Sequence, residues 1–117
     1  MPATDPEPLK QQLEPFRVDV HPERDVVRVV PVGELDLATA PRLEHELHEL
    51  RDSGFEHVVL DMHALRFIDS SGIRVVLSEH RHAAKTARRF TLIGVPPVIH
   101  RALEVCGLLE HLNFDTA

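Results

Sequence analysis

Residues 57–77 read HVVLDMHALRFIDSSGIRVVL, a short apolar run followed by a helical pattern. The run over residues 57–62 is typical of a buried strand, because it is short and almost wholly apolar. From about Ser71, apolar residues recur at spacings of three and four, which predicts a helix. The expected inner side of this helix carries Ile73, Val76, Leu77, His80 and Ala84. A strand followed by a helix is the repeating unit of an α/β fold.

The residues before this unit predict a hairpin and a first helix. Residues 16–21 alternate apolar and polar side chains, and residues 26–32 form a second apolar run, so we expect an antiparallel pair of strands. Pro31 has no N–H and is expected near the strand end or on a sheet edge. Thr39 is the expected N-cap of a helix that ends before Gly54. The apolar stripe of this helix is Leu43, Leu47 and Leu50.

The residues after the unit predict one more strand and one more helix. Residues 90–93 form the strand, and Pro96 and Pro97 open a helix that Gly107 ends. Cys106 falls on the apolar stripe of that helix and is expected to be a small core residue. We therefore predict an α/β fold with a mixed, mostly parallel sheet of four or five strands, an N-terminal antiparallel hairpin, and helices packed on the sheet.

Composition limits the domain count and the partners. Residues 1–15 are rich in proline and polar side chains and predict a poorly ordered tail, which leaves residues 16–117 as one domain. A formal charge of −6 opposes binding to nucleic acid or to an anionic bilayer. No apolar stretch approaches the ~20 residues that span a membrane, so membrane insertion is not expected. One cysteine and no export signal make a cytoplasmic location the expectation.

Two loops follow predicted parallel strands, and such loops emerge at the edge of an α/β sheet where ligands and partners bind. The first is GELDLATAP, residues 33–41, with Glu34 and Asp36 near the strand end. The second is FIDSSGI, residues 67–73, with a polar cluster at residues 69–71. If the two strands are parallel neighbours, Asp36 and the polar cluster lie on one rim of the sheet.

The polar cluster admits several interpretations. Composition alone favours helix capping by Asp69, Ser70 and Ser71, whose side chains can accept from first-turn amides. Capping does not require two hydroxyls, an acid and a glycine in four positions, so a modifiable or liganding hydroxyl stays open. A nucleophilic serine is disfavoured, because the G-x-S-x-G pattern is absent. A metal site at His45 and His48 is disfavoured, because a solvated polar helix face explains both residues.

Three segments carry a resemblance to a known family: GELDLATAPRL, FIDSSGIRVVL and ALEVCGLLEHL, in this order and spacing. The most specific part is D-S-S-G followed by an apolar helix. Over residues 16–114 the chain resembles the STAS domain, and specifically the bacterial anti-sigma factor antagonists, or anti-anti-sigma factors. Residues 87–89, Ala-Arg-Arg, depart from the family's glycine-containing turn, and the paired Pro96 and Pro97 are unusual.

The resemblance implies a regulated binding protein and not an enzyme. In such proteins the second serine of D-S-S-G, which matches Ser71, is phosphorylated by the anti-sigma factor, itself a serine kinase. The unmodified form binds the anti-sigma factor and releases sigma, the phosphorylated form does not bind, and a serine phosphatase resets the switch. Asp36 and Asp69 match acids that line the phosphorylation site. The other residues expected at the phosphosite or partner surface are Glu34, Thr39, Ser70, Gly72 and Arg74.

Because the sequence has no P-loop or glycine-rich phosphate cradle, we expect the kinase to hold ATP and Mg²⁺ and this chain to need no cofactor. We also expect a monomer or weak dimer. A phosphate on Ser71 is expected to meet free amides at the helix start and to block docking without unfolding the domain. Two alternatives stay open. One is a STAS interaction subunit of a lipid-transport or stress-signalling assembly that is never phosphorylated. The other is a small-molecule binder or weak hydrolase that uses the same rim.

Overall fold

In a computed structural model that describes residues 15–115, strands and helices alternate as expected, with one strand that the sequence pattern did not show. The strands are β1 (Arg17–Glu23), β2 (Val26–Leu35), β3 (His57–Asp61), β4 (Leu65–Ile68) and β5 (Arg89–Ile93). The helices are α1 (Ala40–Asp52), α2 (Ser70–Lys85) and α3 (Pro97–Val105). The tail expected over residues 1–15 lies outside the described residues except for Pro15.

The five strands form one mixed sheet. β1 and β2 pair antiparallel from Arg17↔Val32 to Glu23↔Val26, which is the expected hairpin. β2 then pairs in parallel with both β3 and β4, and β3 pairs in parallel with β5. α1 packs on β1 and β2, α2 on β4 and β5, and α3 on β4. The predicted fold class is therefore confirmed.

Pro31 lies in the middle of β2, and not near a strand end or on a sheet edge as expected. β2 changes partner around it, because residues 26–29 pair with β3 and residues 33–35 pair with β4. Gly33 donates its N–H to the Ala64 carbonyl on the β4 side. Amide directions alternate along a strand, so the ring nitrogen of Pro31 faces the same side. No described residue of β3 or β4 pairs with Pro31, and its missing N–H therefore breaks no ladder hydrogen bond.

β4 is the strand that periodicity did not predict. Its residues LRFI are buried at both ends and exposed in the middle, so they do not alternate. Gly33 and Glu34 of β2 pair with Leu65 and Phe67, so Arg66 is an extra residue in β4 that breaks the alternation. Residues 67–73, expected as a loop, are therefore a strand end, one capping residue and the start of α2.

The inner face of α1 follows the expected stripe, whereas that of α2 is rotated. Leu43, Leu47 and Leu50 of α1 are all buried. The buried residues of α2 are Gly72, Val75, Val76, Glu79 and Ala83, while Ala84, which was expected inside, is exposed. The carboxylate of Glu79 binds Arg51 of α1. A charged residue thus occupies an inner position because a partner on the other helix compensates its burial.

Cys106 is exposed, contrary to the expectation that it is a core residue. α3 ends at Val105, and Cys106 is its C-cap, with its N–H bonded to the Ala102 carbonyl. The inner positions of α3 are taken by Ile99 and Leu103. Because the helix stops before its next inner position, the apolar stripe does not continue to Cys106.

The turn between α2 and β5 contains a strained residue. Ala87 adopts φ +57°, in the left-handed region that disfavours residues with a side chain. This is the segment where the sequence departs from the family's glycine-containing turn. Alanine therefore occupies a backbone conformation that glycine adopts without strain.

Candidate functional site

The two loops singled out from the sequence meet at one edge of the sheet. Leu35 and Ile68 are register partners at the parallel ends of β2 and β4. The Asp69 N–H donates to the Leu35 carbonyl at 3.1 Å. We call residues 34–39 and 67–72 the serine rim. The condition for a shared rim, that β2 and β4 are parallel neighbours, is met.

Asp69 is the N-cap of α2. Its Oδ1 accepts from the amides of Ser71 at 2.9 Å and Gly72 at 3.2 Å. Its carbonyl accepts from the Ile73 N–H at 3.0 Å. The amides of residues 71–73 are therefore already bonded, so a phosphate on Ser71 would meet fewer free amides there than expected.

Capping by Asp69 leaves the two serine hydroxyls without that task. Ser70 is exposed and Ser71 is half-buried. Within residues 15–115, neither hydroxyl has a hydrogen-bond partner. A hydroxyl that no neighbour holds, at an accessible helix start, is suited to chemical modification or to contact with another molecule.

Gly72 sets how deeply α2 sits on the sheet. A Cβ built at Gly72 would lie 2.7 Å from Leu35 Cγ and 2.8 Å from Ile68 Cγ1. Any larger residue must therefore displace either the first turn of α2 or the buried side chains of Leu35 and Ile68. Through this contact Gly72 fixes the position of the adjacent Ser71.

The loop between β2 and α1 is held by its own side chains. Asp36 Oδ1 accepts from the amides of Ala38 at 3.0 Å and Thr39 at 3.1 Å. Thr39 occupies the N-cap position of α1 but makes no side-chain cap bond. Its hydroxyl instead donates to the Glu34 carbonyl at 2.7 Å and accepts from the Asp36 N–H at 2.9 Å. The Asp36 carboxylate is therefore fixed in place beside the start of α2.

The remaining expected residues lie at or near the rim. Glu34 is exposed on β2 and is the register partner of Phe67 on β4. Arg74 lies one turn along α2 from Ser71, and its Nη1 is 3.8 Å from Glu44 Oε2 on α1. The structure thus brings all the sequence-predicted residues except Arg74 onto the serine rim and places Arg74 just beyond it.

Two exposed apolar residues of the rim were not singled out from the sequence. Leu37 is 77% exposed at the tip of the β2–α1 loop, and Phe67 is 44% exposed on β4. Both lie inside the quoted loop segments, but exposure of an apolar side chain leaves no mark in the periodicity. Apolar groups beside polar ones are typical of protein contact surfaces.

A buried carboxylate stabilises the turn between β3 and β4. Asp61, at the end of β3, accepts from the His63 ring at 2.8 Å, from the His63 amide at 3.1 Å and from Arg28 at 3.1 Å. Burial alone raises the pKa of Asp61, but the hydrogen bonds from His63 and Arg28 outweigh burial and hold this pKa below its usual value. These bonds fix the turn that leads from β3 into β4.

Other chemistry is not organised at this site. Within residues 15–115, no group of three or more histidine, cysteine or acidic side chains is arranged to hold a metal ion, and His45 and His48 are exposed. Two open grooves lie away from the rim, one of about 610 Å³ beside the β1–β2 turn and one of about 450 Å³ between α2 and the segment after α3. None of the described helices has the length and apolarity needed to cross a bilayer.

Comparison with known proteins gives a consistent result. Residues 17–117 match the STAS domain family. The chain is 30% identical over 96 residues to the anti-sigma F factor antagonist of Paenibacillus polymyxa, which covers 81% of this chain and 82% of that protein. The crystal structure of an anti-sigma factor antagonist from Mycobacterium paratuberculosis superposes with a TM-score of 0.79 at 22% identity, covering 87% of this chain and 86% of that one.

A second structural relative is the Bacillus cell fate determinant SpoIIAA in its phosphorylated form. It superposes with a TM-score of 0.68 at 22% identity, covering 88% of this chain and 91% of that one. At such identities the superpositions show a shared fold, and the family match covers nearly all of the described residues. The resemblance drawn from the three sequence segments is confirmed: this chain belongs to the STAS domain family.

Proposed function

We propose that this chain is an anti-sigma factor antagonist whose unphosphorylated form binds an anti-sigma factor with serine kinase activity and so releases sigma. Its curated relative carries the name anti-sigma F factor antagonist. The observation that carries the proposal is the half-buried Ser71 hydroxyl, which has no hydrogen-bond partner within residues 15–115 and lies on a rigid, partly apolar rim. The proposed site of action is the cytoplasm.

The serine rim has the features of a docking surface for a protein. Leu37 and Phe67 offer apolar contact area, and Asp36 offers a carboxylate that its own loop holds in place. A preformed surface loses little conformational entropy on binding, which favours affinity.

Phosphorylation of Ser71 supplies the off switch. A bond forms between Ser71 Oγ and the γ-phosphorus of ATP, while the bond from that phosphorus to the bridging oxygen breaks and ADP leaves with the electron pair. The hydroxyl proton passes to a base on the kinase. This chain contributes only the hydroxyl, and a separate serine phosphatase reverses the modification by hydrolysis.

The phosphate acts through charge at the docking surface. It adds roughly −1.5 to −2 charges beside Asp36 and Asp69, on a surface complementary to a neutral hydroxyl. Desolvation and like-charge contact then oppose docking by several kcal/mol, or about a hundredfold or more in affinity. The domain stays folded, because the Asp69 cap and the packing of Gly72 do not involve the Ser71 hydroxyl.

Incubation with candidate anti-sigma kinases and ATP, followed by mass spectrometry, tests the proposal. We expect one phosphate, on Ser71. Ser71→Ala should keep partner binding in calorimetric titration and take no phosphate, while Ser71→Glu should bind more weakly. Ser78→Ala, at an exposed serine two turns farther along α2 and outside the rim, is the matched control and should behave as the parent. Equal affinities for Ser71→Glu and the parent would contradict the switch. Binding without phosphate on Ser71 would favour an unphosphorylated interaction subunit of a transport or stress-signalling assembly.

We also propose that the chain acts as a monomer or weak dimer. β1 forms one edge of the sheet, and alternating amide directions point Val18, Val20 and Pro22 toward that edge. Pro22 has no N–H to offer, and the carbonyl of Phe16 already accepts from Arg42 Nη1 at 2.9 Å. Only a short stretch of β1 is left for pairing with a second copy, which disfavours association through this edge.

A further inference from the structure

Arg74 is the basic residue closest in sequence to Ser71, three positions along α2. Its side chain is 64% exposed, and its Nη1 lies 3.8 Å from Glu44 Oε2 on α1. An exposed pair at this separation is loose and strongly screened by water. Arg74 can therefore exchange its partner without disturbing buried structure.

A phosphate on Ser71 would need a positive partner. The amides of Ser71 and Gly72 already donate to Asp69 Oδ1, and the Ile73 amide donates to the Asp69 carbonyl. The nearby ionisable side chains of the rim are carboxylates, on Glu34, Asp36 and Asp69. Of the first-turn amides these bonds leave that of Ser70, and one amide beside three carboxylates cannot balance a dianion.

The spacing between Ser71 and Arg74 allows direct contact. Residues three apart on a helix have Cβ atoms about 5–6 Å from each other, within reach of an arginine and a phosphoserine. A guanidinium forms short, paired hydrogen bonds with phosphate oxygens. The phosphate carries roughly −1.5 to −2 charges against −1 on Glu44, so it is the stronger partner.

We propose that phosphorylation of Ser71 draws Arg74 away from Glu44 and onto the phosphate. This inference rests on the proposed function, since it concerns the modified form of the same site. The exchange removes an exposed cation from the edge of the docking surface and leaves the Glu44 carboxylate unpaired. Phosphorylation then changes the surface charge of α1 as well as that of the start of α2.

The test uses protein with phosphoserine incorporated at position 71 during translation, so that no kinase is needed. Titration followed by ³¹P NMR reports the second pKa of the phosphate. A nearby cation favours the dianion, so Arg74→Gln should raise this pKa by about half a pH unit. The carboxylates of Glu34, Asp36 and Asp69 act equally in both proteins. Arg81→Gln, an exposed arginine two turns farther along α2, is the matched control and should shift the pKa by less than about 0.1 unit.

A second measurement follows the guanidinium itself. In ¹⁵N-labelled protein, the Arg74 Nε–Hε signal should move when Ser71 carries phosphate, and the Arg81 signal should not. Glu44→Gln should move the Arg74 signal in the unphosphorylated protein and leave it almost unchanged in the phosphorylated one. An Arg74→Gln protein that titrates like the parent would overturn the inference. That result would leave the proposed function standing, whereas failure of every kinase to modify Ser71 would overturn the proposed function alone.

Discussion

Two ion pairs join α1 to α2, and they differ in burial. At the end away from the serine rim, Glu79 binds Arg51, with side chains 6% and 20% exposed. At the rim end, Arg74 lies 3.8 Å from Glu44, with side chains 64% and 31% exposed. Water screens the exposed pair, whereas breaking the buried pair leaves a charge without compensation. The two helices are thus anchored at the far end and left adjustable beside the candidate phosphorylation site.

The rim end of α2 is held by other means than charge. Gly72 allows the first turn to lie directly on Leu35 and Ile68, and Asp69 caps the helix. Packing and capping fix the backbone at Ser71, whereas the side chain of the nearby Arg74 can change its conformation. A regulated site benefits from this separation, because a new charge can be accommodated without loss of the fold.

The largest expected effect is at the buried pair. Glu79→Ala leaves the Arg51 guanidinium buried without its carboxylate, and its Nε already has no hydrogen-bond partner within residues 15–115. We expect a loss of about 3 kcal/mol in the free energy of unfolding, measured by chemical denaturation. Glu44→Gln, at the exposed pair, is the matched control and should cost under about 0.5 kcal/mol. Equal losses in the two variants would refute the contrast between the ends.

Gly72→Ala tests whether packing holds the rim end. The added Cβ meets Leu35 and Ile68 at distances that require either the helix start or these two buried side chains to move. We expect a loss of about 2 kcal/mol in denaturation and a lower rate of phosphate transfer to Ser71, because the hydroxyl is displaced. An unchanged rate despite the lost stability would show that the position of Ser71 does not depend on this contact.

Asp61→Asn tests the hydrogen bonds at the turn between β3 and β4 through the pH dependence of the free energy of unfolding. The pKa of Asp61 is lowered in the folded state, so its contribution to stability is fully present above the usual carboxyl pKa and is lost as the pH falls through the folded value. At pH 6 the variant should be less stable than the parent by about 1.5 kcal/mol, and the gap should narrow below about pH 4. Chemical denaturation at several pH values measures this difference in stability. A gap that is constant with pH would argue against the charged carboxylate.

The smallest effect is expected at the far turn, where Ala87 adopts φ +57°. Ala87→Gly relieves this strain but adds flexibility to the unfolded chain, so we expect a net gain of about 0.5–1 kcal/mol. Glycine is thus required at position 72, at the start of α2, and is expected to be more favourable than alanine at position 87, in the turn after α2. A melting temperature below that of the parent would contradict this account.

Much of the architecture follows from the sequence pattern, including the hairpin, the α1 stripe and the meeting of the two loops at one rim. The errors have local physical causes. β4 does not alternate because it has an extra residue, Arg66, opposite β2, and Pro31 lies mid-strand because β2 changes partner there. Glu79 lies inside because of a partner on another helix. Such pairings join residues far apart in sequence and leave no mark in periodicity.

The proximity of the candidate site residues was predictable from the sequence, but their hydrogen bonds were not. The resemblance placed Asp36, Asp69 and Ser71 together, yet only the structure assigns each carboxylate its backbone amides. The exposure of Leu37 and Phe67 could not be predicted from the sequence, because an apolar residue in a loop can face either the core or the solvent.

The close packing of Gly72 against Leu35 and Ile68 bears on how a kinase could recognise Ser71. The proposed acceptor, the Ser71 hydroxyl, lies in the first turn of a packed helix and not on an extended, flexible segment. A synthetic peptide spanning residues 65–77 should therefore be a far poorer acceptor than the intact domain. The enzyme would recognise a shape, and the motif alone would not suffice.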